Sequence, residues 1–182
     1  LADLQTRWNE LGSLLAPYLR GVELTGGIVL AVPSLGSEGR FFSANPMRAD
    51  DNLVAVGLPT SDSDLDVAVA AAVREMCFPI VRVAFSDLGH LFPDRDEASR
   101  ASDRAATYCG EWLLREHAPE LLGAYRSRFT AALEANVVGG STREREAYRS
   151  LLDALERELQ RVSNPRDRSV LPDSPEGDDD VF

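Results

Sequence analysis

The chain has 182 residues, 44% hydrophobic and 27% charged, the composition of an ordinary globular domain able to bury a core without a disulfide lattice or structural metal. Its 30 acidic residues against 19 basic ones leave a formal charge of −11, and every basic residue is Arg because the sequence contains no Lys. An acidic chain whose Arg7, Arg40, Arg74, Arg104, Arg128 and Arg161 are scattered along its length repels a nucleic-acid duplex and an anionic membrane, so neither is expected as a partner.

Apolar residues at Leu4, Trp8, Leu11 and Leu15 fall on one stripe and predict a helix over 2–16, ended by Pro17 and Gly21. Beyond Gly26-Gly27, the run Ile28 to Val32 predicts a strand stopped by Pro33 and the turn Ser34-Leu35-Gly36. Residues 39–43 and 52–56 predict two more strands, separated by the Asn45-Pro46 breaker and an Asp50-Asp51-Asn52 turn. Thr60 to Asp64 supplies capping side chains for a helix from Leu65 to Phe78 that has almost no polar face and is expected to be buried nearly all round. Pro79 then breaks or kinks the chain, leaving Ile80 to Phe85 as a continuation or a strand.

A helix opening at Asp96-Glu97 and reaching about His117 follows, with Ala105, Tyr108, Cys109, Trp112 and Leu113 on its apolar side. Pro119 is placed for a first helical turn, and the next helix carries Leu122, Tyr125, Phe129, Ala132 and Leu133 up to Gly139-Gly140. Ser141 and Glu144 form a capping-box pattern before a last helix striped by Tyr148, Leu152, Leu155, Leu159 and Val162. The expected fold class is α+β: an N-terminal helix, a small three-stranded sheet, a buried central helix and a mainly helical C-terminal half. Residues 1–163 read as one globular domain, and 164–182, rich in Pro, Ser, Asp and Gly, as a disordered acidic tail.

No run approaches the ~20 apolar residues of a membrane span. The first residue is Leu1, which leaves a secreted or periplasmic protein after leader removal and a cytoplasmic one both open. Cys77 and Cys109 fit one disulfide or two buried thiols.

Several chemistries are excluded by residue type. Without Lys there is no phosphate-binding P-loop, and no G-x-S-x-G nucleophile elbow occurs. Asp62, Asp64 and Asp66 begin like a calcium loop, but the sixth position is Val67 rather than Gly and the twelfth is Val73 rather than Glu, which makes helix capping the reading there. Cys77, His90, Cys109 and His117 are spaced unlike any compact zinc-ligand pair.

The element order resembles that of zinc metallopeptidases of the HExxH superfamily, the zincins, and residues 26 to about 135 are similar to a small gluzincin-like core. In those enzymes two His one helical turn apart bind zinc, and the Glu between them polarises the attacking water. The corresponding residues here are Arg74-Glu75-Met76-Cys77-Phe78, so Glu75 matches the Glu while Arg74 and Phe78 replace both His. The resemblance implies Glu97 at the third ligand position, with Asp103 as a substitute. Arg cannot ligate zinc and Phe has no donor atom, so neither a metal nor another cofactor is expected, and Arg74, Glu75, Phe78, Glu97 and Asp103 stand as vestiges of a catalytic site. Arg74 would then place a guanidinium where the cation sat, paired with Glu97 or Asp103. The competing reading has Arg74 and Glu75 emerging into solvent at a helix edge.

Three functions remain open. The first is a catalytically inactive zincin-like domain that binds an unidentified protein or peptide, for instance along an exposed strand such as Asn52 to Val56, or serves as scaffold. The second is a helical interaction module without active-site ancestry, forming a weak homodimer through the 144–162 helix. The third is an active hydrolase using Glu75 with a nonstandard metal set.

Overall fold

A computed structural model describes residues 2–20, 27–35, 39–42, 52–137 and 141–164. Helix α1 (Ala2–Arg20) turns Leu4, Leu11 and Leu15 inward as the stripe predicts, and then continues through buried Tyr18 and Leu19. Pro17 lies inside it rather than ending it. Proline lacks the N–H that would bond the Ser13 carbonyl, and burying the last turn offsets that single missing bond.

The three strands form where the β-branched runs predict them: β1 (Gly27–Val32), β2 (Gly39–Phe42) and β3 (Asn52–Gly57). Their order in space is β1-β3-β2, with β1 parallel and β2 antiparallel to β3. Asn52 to Val56 is therefore the middle of the sheet, with Val54, Ala55 and Val56 buried, and it has no free edge to lend a peptide. That correction moves the available edges, among the described residues, to β1 and β2. One face of the sheet carries Val54 and Val56 toward the core; on the other, Ile28 is 68% and Phe42 53% exposed. Gly36, the Asn45-Pro46 breaker and the Asp50-Asp51 turn lie outside the described residues.

Helix α2 (Asp62–Leu88) is the element on which the others assemble. It starts at Ser61, whose hydroxyl accepts the Asp64 amide at 3.2 Å, while the Asp64 carboxylate accepts the Thr60 hydroxyl at 2.5 Å and holds its own proton affinity down through that bond. The acidic string is thus helix-start machinery. Residues 68–73 are buried without interruption, and small side chains at Ala70, Ala71 and Ala72 let neighbouring backbones come close. Pro79 is buried within the helix, which runs on through Ile80 to Phe85. Burial of Ile80 and Val81 holds the far half in place despite the missing bond to the Glu75 carbonyl.

Helix α2 packs on β2 and β3 with one side and on α1, α3 (Arg95–His117), α4 (Leu122–Val137) and α5 (Thr142–Ser163) with the others, whereas β1 has its most extensive contacts with β3. Asp94 caps α3 by accepting the amides of Asp96 and Glu97, both at 2.9 Å. Pro119 opens a single 3₁₀ turn, Pro119–Leu121, ahead of α4. The capping box at α5 is present as the sequence predicts. Its buried row is Ala147, Leu151, Leu155 and Leu159, flanked by Tyr148, Leu152 and Val162, and it lies against α2 and α3. The residues expected as an alternative to form a dimer seam are thus covered by the chain itself. Ala132 and Leu133 have no described side chains, and Gly139-Gly140 and residues 165–182 lie outside the described set. No described helix is long and apolar enough to cross a membrane.

Because Leu155 is fully buried between helices of one chain, Leu155→Ala is expected to lower unfolding stability by about 2–5 kcal/mol in a urea titration, with no dependence on protein concentration. A loss that shrinks as the chain is concentrated would instead mark an intermolecular seam.

Candidate functional site

The polar centre of the molecule is built around one side chain on α2. Three of the Arg74 donors are engaged: Nε with the Thr107 hydroxyl at 3.1 Å, Nη1 with Glu75 Oε1 at 2.7 Å, and Nη2 with the Asp103 carboxylate. The guanidinium carbon also lies 5.2 Å from the ring centre of Phe78 and 5.3 Å from that of Phe129, within cation–π range. With the Arg74 side chain only 13% exposed and that of Glu75 6%, the competing reading of a solvated helix edge is overturned.

Helical geometry explains which residues converge. Phe78 is four positions after Arg74 and lies on the same face of α2; Asp103 and Thr107 are likewise one turn apart on α3. The Thr107 hydroxyl donates to the Asp103 carbonyl at 3.1 Å, and Tyr125 from α4 donates to the Thr107 carbonyl at 2.8 Å. That phenol fits because Gly110 has no side chain: a Cβ there would run into the Tyr125 ring. Glu97 does not join. It precedes Asp103 by six residues, which at 3.6 residues per turn sets it about a third of a turn away around α3. It faces Arg143 of α5 at 3.5 Å instead, with its side chain 12% exposed and its Oε1 without a hydrogen-bond partner.

Glu75 joins helix to sheet. Its Oε2 accepts the Phe41 amide of β2 at 3.0 Å, and neighbouring Gly39 leaves the space in which the Glu75 side chain lies, since a Cβ at Gly39 would sit 2.7 Å from Glu75 Cγ. Burial raises the Glu75 pKa above the ordinary carboxylate value even though Arg74, the Phe41 amide and Arg40 all favour its charged form. Both of its oxygens are therefore engaged, in a setting that makes holding the charge costly.

The remaining candidates are dispersed. Cys77 and Cys109 are free thiols, both fully buried. His90 lines an open cleft of about 390 Å³ with Arg143, Glu146 and Ser150. His117 sits at the end of α3, where its Nε2 lies 2.9 Å from the Tyr18 hydroxyl, itself 2.6 Å from Ser163 Oγ. Burial lowers the His117 pKa, with Glu116 opposing, so burial outweighs the cation preference expected of a helix C-terminus. Among the described residues no three His, Cys, Asp or Glu side chains gather as a metal site.

Four participants were not singled out as site residues from sequence: Thr107, Tyr125, Phe129 and the Phe41 amide. The i,i+4 pairs Asp103/Thr107 and Tyr125/Phe129 were the available signals; a backbone amide offers none.

Removing Arg74 leaves Glu75 buried without its cation, so Arg74→Met is expected to cost about 3–5 kcal/mol by denaturant unfolding. Asp103, 49% exposed, is expected to cost about 1 kcal/mol or less as Asp103→Asn. Equal costs would mean that the two carboxylates share the charge evenly. No family model matches the chain, nor does any curated protein or solved structure, so what the centre does has to be inferred from its own residues.

Proposed function

We propose that the chain is a zincin-like domain without catalytic activity, in which the Arg74 guanidinium stands where a metal would otherwise sit, and that it serves as a binding scaffold for an extended peptide. The observation that carries this reading is the convergence of Arg74, Glu75 and Asp103 beside Phe78. The resemblance requires two positions one turn apart, a Glu adjacent to the first and an acid from the following helix to meet at one point. They meet there, with Asp103 rather than Glu97 supplying the acid. Arg74 fills the place with a permanent charge that cannot polarise water as a Lewis acid does, and Phe78 adds an aromatic wall.

Peptide binding is supported by the sheet. Among the described residues strand β1 pairs with β3 alone, and its sequence Gly-Ile-Val-Leu-Ala-Val contains no charge or proline of the kind that guards an edge against pairing. Ile28 and Leu30 project from it exposed. An added strand would gain main-chain hydrogen bonds along β1 and place alternate apolar side chains beside theirs. The β2 edge is a poorer choice, because the Phe41 amide already bonds Glu75.

Zinc loading followed by desalting and elemental analysis tests the ancestry. The natural sequence is expected to retain no zinc, and Arg74→His combined with Phe78→His to retain about one equivalent. Zinc on the natural sequence would restore the hydrolase reading; a folded double variant that holds none would remove the zincin reading.

The peptide role has its own test. In a display of extended peptides, alternating apolar sequences are expected to be retained by the natural chain and lost with Ile28→Lys plus Leu30→Lys at unchanged thermal stability. Retention by that variant would remove β1 as the site.

A further inference from the structure

The cleft beside His90 belongs neither to the Arg74 centre nor to the β1 edge, and its two walls come from separate parts of the chain. One wall is the connection from α2 to α3, where a 3₁₀ turn, Gly89–Leu91, places His90 and Leu91 ahead of Pro93. The other is α5, whose Arg143, Glu146, Ala147 and Ser150 share one face over its first turns. At about 390 Å³ the cleft falls within the roughly 300–1,000 Å³ of small-molecule sites.

Its polar groups differ in what they can bind. His90 Nδ1 lies 3.1 Å from the Asp87 carbonyl. A carbonyl only accepts, so Nδ1 is the donor, and in the neutral ring Nε2 keeps a lone pair for an incoming donor. The Ser150 hydroxyl donates to the Glu146 carbonyl at 3.1 Å, which leaves its oxygen able to accept. Among the described residues the Glu146 carboxylate has no ion-pair partner, not even Arg143 three residues before it, although both line the cleft. Three acceptors therefore face one donor group, the Arg143 guanidinium, which Glu97 of α3 engages at 3.5 Å while the Arg143 side chain stays 62% exposed. Leu91, Pro93 and buried Ala147 supply the apolar lining.

We infer that this cleft binds a free α-amino acid with an apolar side chain. The ligand's ammonium carries three N–H donors and matches His90 Nε2, the Glu146 carboxylate and the Ser150 hydroxyl. Its carboxylate takes the bidentate contact that a guanidinium offers and meets Arg143. Its side chain covers Leu91, Pro93 and Ala147. Charge complementarity selects this class: a simple anion is repelled by Glu146, a simple cation by Arg143, and a ligand bearing both signs satisfies both. Side chains three residues apart on a helix start roughly 5–6 Å from each other. That separation suits opposite charges borne on one carbon better than charges at the ends of a long chain. The inference does not rest on the peptide-binding reading of β1.

Leucine and phenylalanine, titrated separately into the isotopically labelled full chain and followed by amide NMR shifts, test the assignment. Saturable shifts are expected within residues 89–92 and 143–150, with β1 and the surroundings of Arg74 unmoved. Leucinamide lacks the carboxylate, N-acetyl-leucine the ammonium and glycine the side chain; each is expected to bind about tenfold or more weakly than leucine. Glu146→Gln removes no ion pair, so the variant should stay folded and bind leucine about tenfold more weakly, with N-acetyl-leucine unaffected. Arg143→Gln should weaken leucine and spare leucinamide. Ile28→Lys plus Leu30→Lys should bind leucine as the natural chain does, which separates a failure here from a failure at β1. Absence of saturable shifts with both amino acids, shifts confined to other residues, or equal binding of leucine and its two blocked forms would overturn the inference. Leucyl-leucine binding as tightly as leucine would overturn it too, by making the ligand a chain end rather than a free amino acid.

Discussion

A guanidinium largely withdrawn from water dictates its surroundings, and the arrangement of the helices around α2 answers that demand from Arg74. Each nitrogen of its planar fork donates to an acceptor: Glu75 on its own helix, Asp103 and the Thr107 hydroxyl on α3. Its two flat faces are left for rings, and Phe78 and Phe129 come from α2 and α4. One side chain therefore specifies the relative placement of three helices. Through Glu75 and the Phe41 amide it reaches the sheet as well, so the polar centre links α2, α3 and α4 to β2.

Electrostatics explains why so much is committed to one cation. Glu75 gains three favourable influences and still has a raised pKa, since burial outweighs them. A centre of this kind adds little net stability compared with apolar packing, but it penalises every alternative arrangement that would strand either charge. It acts as a register device, choosing one way of stacking α2 on α3 among several that Ala-rich helices would otherwise allow. In the zincin reading this is what remains useful once hydrolysis is gone: a cation that needs no loading and cannot be chelated away.

Much of the framework was legible because it rests on local chemistry. The strand runs, the cap at Ser61 and the box at Ser141 with Glu144 depend on neighbours within a few residues, and all appear where the residues predict. Pro17, expected to end its helix, misled for the opposite reason, and Pro79 left a continuation and a strand both open. Whether a helix survives Pro17 or Pro79 is decided by how much apolar surface the next turn buries, a tertiary quantity that Tyr18, Leu19, Ile80 and Val81 supply. Strand order was likewise hidden, since nothing in residues 52–56 distinguishes a central strand from an edge. At the polar centre, Arg74, Glu75 and Asp103 were named together through the resemblance to the zincins, with Asp103 as the substitute for Glu97. The choice of Asp103 over Glu97 was readable in principle, because six residues place the two carboxyls on different sides of α3; Thr107 and the Phe41 amide needed the packing itself.

The way the sheet is attached has a thermodynamic consequence. Helix α2 is backed chiefly against β2 and β3, whereas the main ties of β1 run through its ladder to β3. Resistance to local opening should therefore fall in a gradient across the sheet, from amides anchored under the Glu75 carboxylate to a strand that can detach while the helical half stays whole. An edge of that kind is ordered at the expense of whatever pairs with it. Affinity for an added strand would then report the folding equilibrium of β1 as much as the contacts made, and strengthening the β1–β3 ladder would tighten binding without altering a single residue that the ligand touches.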